Sequence, residues 1–158
     1  MSFMIENNTV FLIDTNILVY AYTDSDPQKQ SIALQLLEKC WKREVIYAVS
    51  LQNLAEFFVV ITKKVSRPIP AEHAHKVISD ILHYSHWRVI KSSQNTLLQA
   101  TRKENAHFWD ALLAETMLEN GITHLYTENM KDFSTLEYVQ TKNPFEKGKN
   151  VEKYISKR

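Results

Sequence analysis

Short apolar runs alternate with helical patterns along this sequence, and this alternation limits the possible folds more than any other feature. The runs are too short for helices and several are β-branched, which is typical of buried strands. They cover residues 10–13, 45–49, 87–90 and 124–127, and a weaker run covers 138–140. Strands that alternate with helices form a parallel sheet covered by helices on both faces. The sequence therefore predicts an α/β fold with a central, mostly parallel sheet of four to five strands.

The helical patterns between these runs have recognisable ends. A short helix is expected directly after the first run, ended by a turn at 24–27. Ser50 and Ser93 are typical helix N-caps, and Gly121 is typical of the residue that follows a helix. The longer predicted helices cover 28–43, a stretch after Ser50, 70–84, 93–103 and 108–120. A helix therefore follows each of the first three predicted strands, as parallel pairing requires.

Length and composition exclude several classes of protein. The chain has 158 residues, enough for one domain with a single core, and no uncharged run is long enough to span a bilayer. Only two glycines occur, Gly121 and Gly148, whereas phosphate-binding loops and dinucleotide-binding turns need several at fixed spacing. P-loop nucleotide hydrolases, Rossmann cofactor enzymes and membrane-inserted proteins are therefore excluded.

The N-terminal residues and the single cysteine favour a cytoplasmic protein. Glu6 stands where a signal peptide would carry a basic residue, and the apolar run that follows ends at Asp14. Cys40 has no second cysteine to pair with and lies in an apolar helical pattern, so we expect a buried, unreactive thiol. A reducing compartment fits both observations.

Positive charge is concentrated at the C-terminal end of the chain. The formal net charge is +1, but six basic residues and only two acidic ones fall between Lys142 and Arg158. We therefore divide the chain into a domain over 1–145 and a basic tail over 146–158. Such a tail is suited to a polyanion such as RNA, although a solvated terminus explains the same composition.

Three acidic residues occupy positions that a parallel sheet brings to one edge. Asp14 ends the first strand, Asp110 begins the helix before the fourth strand, and Glu56 follows the second strand by about two helical turns. Ligands bind beyond the carboxyl ends of parallel strands. Grouped carboxylates repel one another unless a cation neutralises them, and oxygen ligands without His or Cys favour Mg²⁺ or Mn²⁺.

Each of these acids, taken singly, also fits an ordinary structural role. Asp14 is suited to capping a helix, Asp110 to the positive end of a helix dipole, and Glu56 to a solvated helix edge. Glu56 has apolar neighbours on both sides, which predicts a partner inside the fold rather than bulk water. The metal-site hypothesis therefore depends on the three acids being close together.

Four blocks of sequence occur here in an order and spacing that match one known family. They cover 11–21, 50–57, 108–114 and 125–133, and an Asn-Pro-Phe ending follows at 143–145. Together they resemble the PIN-domain ribonucleases, particularly the VapC-like toxins of toxin–antitoxin pairs. The resemblance implies a three-layer α/β/α fold and divalent-metal-dependent cleavage of RNA phosphodiester bonds.

The resemblance also implies roles for individual residues. Asp14, Glu56 and Asp110 match the acidic positions that hold Mg²⁺ or Mn²⁺. The fourth acidic position of the family is Asn129 here. Its amide oxygen can still coordinate a metal or orient a water, so Asn129 and Asp132 are both candidate catalytic residues, and Asp132 or Glu128 can supply the missing charge. One well-held metal is favoured over two. The polar residues that support the catalytic site by hydrogen bonds are Asn16 and Thr127.

Partners are implied by the same resemblance. An RNA substrate, a protein antitoxin and a possible homodimer are expected, in the cytoplasm and without a membrane. Because the acidic site repels RNA, basic groups elsewhere must attract it; the candidates are Lys63, Lys64, Arg67, Arg102, Lys103 and the tail. Trp109 is suited to stacking on an unpaired base, but packing in the core is the favoured role for this side chain.

Three other functions compete with a ribonuclease. A phosphatase of the haloacid-dehalogenase type would need a second Asp at the position of Asn16, and a phospho-accepting signalling module would need adjacent acids after the first strand. The alternative that remains is a non-catalytic PIN-fold domain that binds RNA or protein, and Asn129 gives it some support. Asp14 and Asp110 are both present, which favours an enzyme.

Overall fold

A computed structural model describes residues 9–146, in which five strands form one sheet. The strands are β1 (Phe11–Ile13), β2 (Tyr47–Ser50), β3 (Trp87–Ile90), β4 (His124–Tyr126) and β5 (Gln140–Lys142). The helices are α1 (Thr15–Tyr22), α2 (Pro27–Trp41), α3 (Leu51–Val59), α4 (Ala71–His83), α5 (Gln94–Ala100) and α6 (Phe108–Glu119). A π-helical turn, Val60–Lys64, extends α3, and a 3₁₀ helix, Met130–Phe133, follows β4. The predicted α/β fold is confirmed.

The end of β1 lies at the point where the strand order of the sheet reverses. The order is β3-β2-β1-β4-β5, and every pair is parallel. From β1 the chain adds β2 and β3 on one side and then returns to add β4 on the other. Ligand sites of open parallel sheets lie at such a reversal. The register sets Ile13 opposite Tyr126, so β1 and β4 end side by side.

Helices cover both faces of the sheet, which gives the predicted three layers. Alternate residues of β1 enter different cores because side chains of a strand point to opposite faces. Ile13 belongs to the larger core, whereas Leu12 belongs to the smaller one, with Leu113 and Met117 of α6. Both β1 residues are fully buried. Among residues 9–146, no helix has the length and apolarity needed to cross a membrane.

Two predicted strands are displaced from their expected positions. The fifth strand was expected at 138–140 but lies at Gln140–Lys142, because Val139 is buried in the preceding turn and the strand itself is polar. An edge strand is held mainly by backbone hydrogen bonds to one neighbour, so its sequence need not contain an apolar run that would predict a strand. The second strand begins at Tyr47 rather than at residue 45, since the Lys39 carbonyl accepts the N–H groups of Glu44 and Val45 at the end of α2.

Helix ends differ less from the predictions. The helix expected to continue to residue 103 ends at Ala100, where the chain enters a turn. Gly121 follows α6 with a φ of 71°, as expected for the residue after a helix. The part of the predicted tail over 147–158 lies outside the described residues, so its role as an RNA-binding segment stays a prediction.

Cys40 is expected to resist alkylation until the protein unfolds. Its thiol is fully buried in α2 and donates to the His86 carbonyl over 3.1 Å, and burial raises its pKa to about 11. Because the thiolate is the reactive form, labelling by iodoacetamide at pH 8 should be at least about 100-fold slower than in the urea-unfolded chain. Mass spectrometry of the labelled protein measures this. Equal rates in both states would contradict a buried thiol.

Candidate active site

Asp14 is held rigidly at the end of β1. The chain turns from the strand directly into α1, and Asp14 caps that helix, with Oδ1 accepting the Thr15 N–H over 2.8 Å. Oδ2 accepts the hydroxyl of Thr127 over 2.7 Å. The carboxylate is therefore fixed from both sides of the β1–β4 junction.

Thr127 bonds this carboxylate directly, and Asn16 bonds Thr127. Thr127 is fully buried directly after β4, and its Oγ1 accepts the Asn16 side-chain amide over 3.3 Å. The same oxygen accepts the N–H of Asn129 over 3.1 Å, while Asn16 Oδ1 accepts the N–H of Glu128 over 3.3 Å. These bonds join the loop after β4 to α1.

Asn53 is a site residue that the sequence reading missed. It is 1% exposed in the first turn of α3, where its Oδ1 accepts the N–H and hydroxyl of Ser50 over 3.3 and 2.8 Å. Its amide nitrogen donates to Thr15 Oγ1 over 3.0 Å and to Asp14 Oδ1 over 3.4 Å. The Ser-x-x-Asn spacing from Ser50 signalled a helix cap, but a cap by itself gave no sign of contact with Asp14.

Glu56 lies at the edge of the site, and the expectation of a partner inside the fold was only half right. Its side chain is exposed, yet Oε2 accepts the Thr15 hydroxyl over 3.2 Å and Oε1 accepts the Gln52 amide over 2.9 Å. The apolar neighbours did not predict its burial because successive helix residues point in different directions. Phe57 is fully buried, whereas Glu56 faces the acidic cleft.

Asp110 and Asp132 complete a cluster of four acids with Asp14 and Glu56. Burial raises the pKa of Asp110 to about 6, and the charges of Asp132, Asp14 and Glu56 act in the same direction. Burial likewise raises the pKa of Asp14, with contributions from Glu56 and Asp132. Glu56 and Asp132 therefore act on both Asp14 and Asp110, which places the four acids at one site.

Of the residues at 128, 129 and 132, Asp132 is the one whose charge acts on both Asp14 and Asp110. Asn129 contributes backbone groups: its N–H bonds Thr127, and its carbonyl accepts the N–H of Asp132 over 3.1 Å. The carboxylate of Glu128 is bound by Lys29 and Tyr20. The exposed carboxylate of Asp132 therefore raises the pKa of Asp14 and of Asp110.

The four acids are not paired with Lys or Arg in the described part of the chain, and His107 is the one basic side chain whose charge lowers the pKa of Asp110. This donor set fits a hard divalent cation. Grouped, partly buried carboxylates without a counter-charge are stabilised by Mg²⁺ or Mn²⁺. No three acidic, His or Cys side chains in the described part of the chain are close enough to enclose an ion alone. Mg²⁺ commonly keeps several water ligands, so a more open site suits it.

One known family matches the part of the chain that contains three of the four acidic residues. A family model described as "PIN domain" matches residues 10–131, about three quarters of the chain. This chain belongs to the PIN-domain family. The matched segment contains the strand ends and helix starts that position Asp14, Glu56 and Asp110.

Individual relatives of this PIN domain resemble it over most of their length. It is 27% identical over 139 residues to the ribonuclease VapC24 of Mycobacterium tuberculosis, covering 84% of this chain and 94% of the relative. The crystal structure of VapC20 from the same organism, a Sarcin-Ricin loop cleaving toxin, has a TM-score of 0.61 at 19% identity, covering 83% of this chain and 97% of that chain. VapBC2 from Rickettsia felis, bound to a promoter DNA fragment, has a TM-score of 0.59 at 19% identity. The match covers 85% of this chain and 98% of that chain. The structures confirm the PIN-like fold.

The position of Trp109 differs from the sequence prediction. Core packing was favoured, but the side chain is 62% exposed, next to Asp110 in the first turn of α6. Its ring contacts Phe108 edge to face at 5.1 Å. The flanking apolar residues suggested burial, whereas helix geometry directs Ala111 into the core and leaves Trp109 outside. Trp109 is therefore accessible beside the PIN-domain site.

Two of the basic residues that were candidates for RNA binding have acidic partners. Lys103 lies 3.5 Å from Glu115, and the exposed Arg67 lies 3.0 Å from Asp24. Lys63, Lys64 and Arg102 are exposed.

Proposed function

We propose that this PIN domain is a divalent-metal-dependent endoribonuclease that acts as the toxin of a toxin–antitoxin pair. The observation that carries the proposal is the cluster of Asp14, Glu56, Asp110 and Asp132 beyond the strand ends, in which no acid is paired with Lys or Arg among residues 9–146. The ribonuclease named among its relatives supports the same activity.

In this proposal the side chains divide the work of hydrolysis. Asp14, Glu56 and Asp110 hold Mg²⁺ or Mn²⁺, with Asp132 adding charge at the opening. The cation, when bound, offsets the charge of the phosphodiester and activates water for attack. Thr127, Asn16 and Asn53 keep Asp14 in position, and one carboxylate accepts the proton of the attacking water.

Surfaces next to the acidic cluster suit an RNA substrate. A cleft of about 430 Å³ borders Asp132, with His107, Lys131 and Ser134 in its lining, and a volume of this size is suitable for one nucleotide. Trp109 presents an exposed ring on the same helix as Asp110, which is suited to stacking on an unpaired base.

RNA cleavage by the full chain tests the enzyme proposal. A mixed pool of structured RNAs is incubated with EDTA, Mg²⁺ or Mn²⁺ and either wild type, Asp14→Asn or the control Asp80→Asn. We expect wild type and Asp80→Asn to cleave with metal only, and Asp14→Asn to be at least about 100-fold slower, a loss of about 2.7 kcal/mol of transition-state stabilisation. Asp80 lies on the exposed surface of α4, paired with Lys76.

A folded wild type that is inert with every metal would count against the nuclease. Retention of RNA on that inert protein would then favour the alternative, a non-catalytic PIN-fold domain that binds RNA. Cleavage that persists in EDTA, or in Asp14→Asn, would contradict the metal site.

The antitoxin is the second half of the proposal. A structure titled "Toxin-antitoxin complex from Klebsiella pneumoniae" has a TM-score of 0.56 with this chain at 23% identity, which supports a protein partner for the same fold. We propose that such a partner covers the acidic cleft, in the cytoplasm, and that the chain forms a homodimer. Expression of the chain alone should arrest growth, Asp14→Asn should relieve the arrest, and normal growth with wild type at equal protein levels would contradict a toxin.

A further inference from the structure

Glu128 lies beside the acidic cluster, but its side chain points away from the cluster and contacts Tyr20 and Lys29. It lies between Thr127, which bonds Asp14, and Asn129. Its carboxylate accepts the hydroxyl of Tyr20 over 2.8 Å and forms an ion pair with Lys29. The Lys29 and Glu128 side chains are only 26% and 25% exposed. This pair is therefore shielded from solvent more than the Lys42–Glu38, Arg67–Asp24 and Lys76–Asp80 pairs.

The ammonium group of Lys29 is enclosed by two aromatic rings as well as by Glu128. Its Nζ lies 3.4 Å from the Tyr20 hydroxyl, 4.9 Å from the centre of the Tyr20 ring and 5.6 Å from that of Phe145. The two rings contact each other edge to face at 5.1 Å, and Phe145 is buried. These contacts join α1, α2 and the segment after β5 around one charge.

The backbone of Glu128 is held at both of its polar groups. Its N–H donates to Asn16 Oδ1 over 3.3 Å, and its carbonyl accepts the Asn143 side-chain amide over 3.4 Å. With the carboxylate bound by Lys29, the residue is fixed at three points. Its neighbours on the loop, Thr127 and Asp132, have little freedom to move away from the cluster.

We propose that Lys29 is a positioning residue for this active site, which acts through Glu128 to hold the 127–132 loop against Asp14. This inference rests on the proposed ribonuclease function. Displacement of catalytic groups by about 1 Å lowers rates by about 100-fold, so loss of the pair should affect turnover. An exposed pair contributes only about 0–1 kcal/mol, but this one is hydrogen-bonded and partly buried.

Kinetics separate positioning from two other roles of Lys29. Cleavage of one RNA is measured for Lys29→Met, Glu128→Gln, the double variant, the conservative Lys29→Arg and the control Lys76→Met, which removes an exposed pair on α4. We expect kcat to fall about 10-fold in each single variant with KM unchanged, and no further in the double variant. Lys29→Arg should stay within about 2-fold of wild type, because the guanidinium also pairs with a carboxylate.

Three results would overturn the proposal. A raised KM with normal kcat would mean that Lys29 binds RNA directly. A normal kcat in Lys29→Met with a lowered melting temperature would mean that the pair only stabilises the fold. Additive losses in the double variant would separate Lys29 from Glu128.

Hydrogen exchange tests the loop without any activity. In Lys29→Met, the amides of Glu128 and Asn129 should exchange about 10-fold faster than in wild type, whereas those of α6 and all amides of Lys76→Met should keep their protection. Unchanged protection of the loop would refute the positioning role. If wild type cleaves no RNA, the ribonuclease proposal fails. The exchange rates of the Glu128 and Asn129 amides still show whether Lys29 holds the loop.

Discussion

Asp110→Asn is expected to abolish RNA cleavage and at the same time to stabilise the metal-free protein. The native pKa of Asp110 is raised from 3.8 to about 6 by burial and by the neighbouring acids, so its charge is unfavourable in the folded state. The full shift corresponds to about 3 kcal/mol at neutral pH. Because the side chain is partly exposed to solvent, we expect about 1–2 kcal/mol, or about 3–6 °C in Tm, by calorimetry in EDTA at pH 7.5. Cleavage with Mg²⁺ should fall at least about 1,000-fold.

The pH dependence identifies the origin of this gain. Between pH 4 and 6 the folded state binds more protons at Asp110 than the unfolded state, so the stability of wild type falls as pH rises. The difference between Asp110→Asn and wild type should be largest above about pH 6 and vanish below about pH 4. Mn²⁺ should raise the Tm of wild type more than that of the variant. A variant less stable than wild type in EDTA would contradict repulsion within the cluster.

Asn53→Ala is expected to have the largest effect on stability among the site variants, with cleavage lost as well. The change removes the N-terminal bonds of α3 to Ser50 and leaves the Thr15 hydroxyl and Asp14 without the buried amide. Buried polar groups that lose their partners cost about 1–3 kcal/mol each, so we expect a loss of about 2–4 kcal/mol in the free energy of unfolding by urea titration.

The second capping box of the protein provides a matched control. Thr96 occupies the same position in α5, 1% exposed, where its Oγ1 accepts the N–H of Ser93 over 2.7 Å. Thr96→Ala should lose about 1–2 kcal/mol of stability yet keep wild-type cleavage. Asn53→Asp keeps the acceptor for Ser50 but places a carboxylate beside Asp14, so it should also be inactive. Normal cleavage by Asn53→Asp would contradict a role for the amide donor.

Asp14 was singled out from the residues alone because it ends a buried strand, where a charge is costly. The supporting roles of Thr127 and Asn16 came from the family resemblance, and hydrogen bonds join Asn16 to Thr127 and Thr127 to Asp14. Asn53 was missed, since its spacing from Ser50 has a complete local explanation as a helix cap. Contact between Asn53 and Asp14 depends on the pairing of β1 with β2, which residue spacing cannot reveal.

Features that depend on orientation or on edge pairing were predicted least well. Trp109 was assigned to the core and Glu56 to the interior because their neighbours are apolar, but the rotation of each helix directs both side chains outward. β5 was placed two residues early because a polar edge strand has no periodic pattern of its own. The strands that are buried on both faces were predicted best from their continuous apolar runs, and β1 was the clearest of them.

Because β1 lies in the middle of the sheet, the catalytic centre can assemble only after the strands on both sides of β1 have been translated. Asp14 emerges early from the ribosome, but its hydrogen bond to Thr127 joins residues 113 positions apart. β2 and β3 are translated soon after β1, whereas Asp110, β4 and Asp132 belong to the last third of the described chain. Contacts that span so much chain form late because the loop must close before they contribute. A nascent chain of this protein is therefore harmless to the RNA around it until the final third of the domain docks.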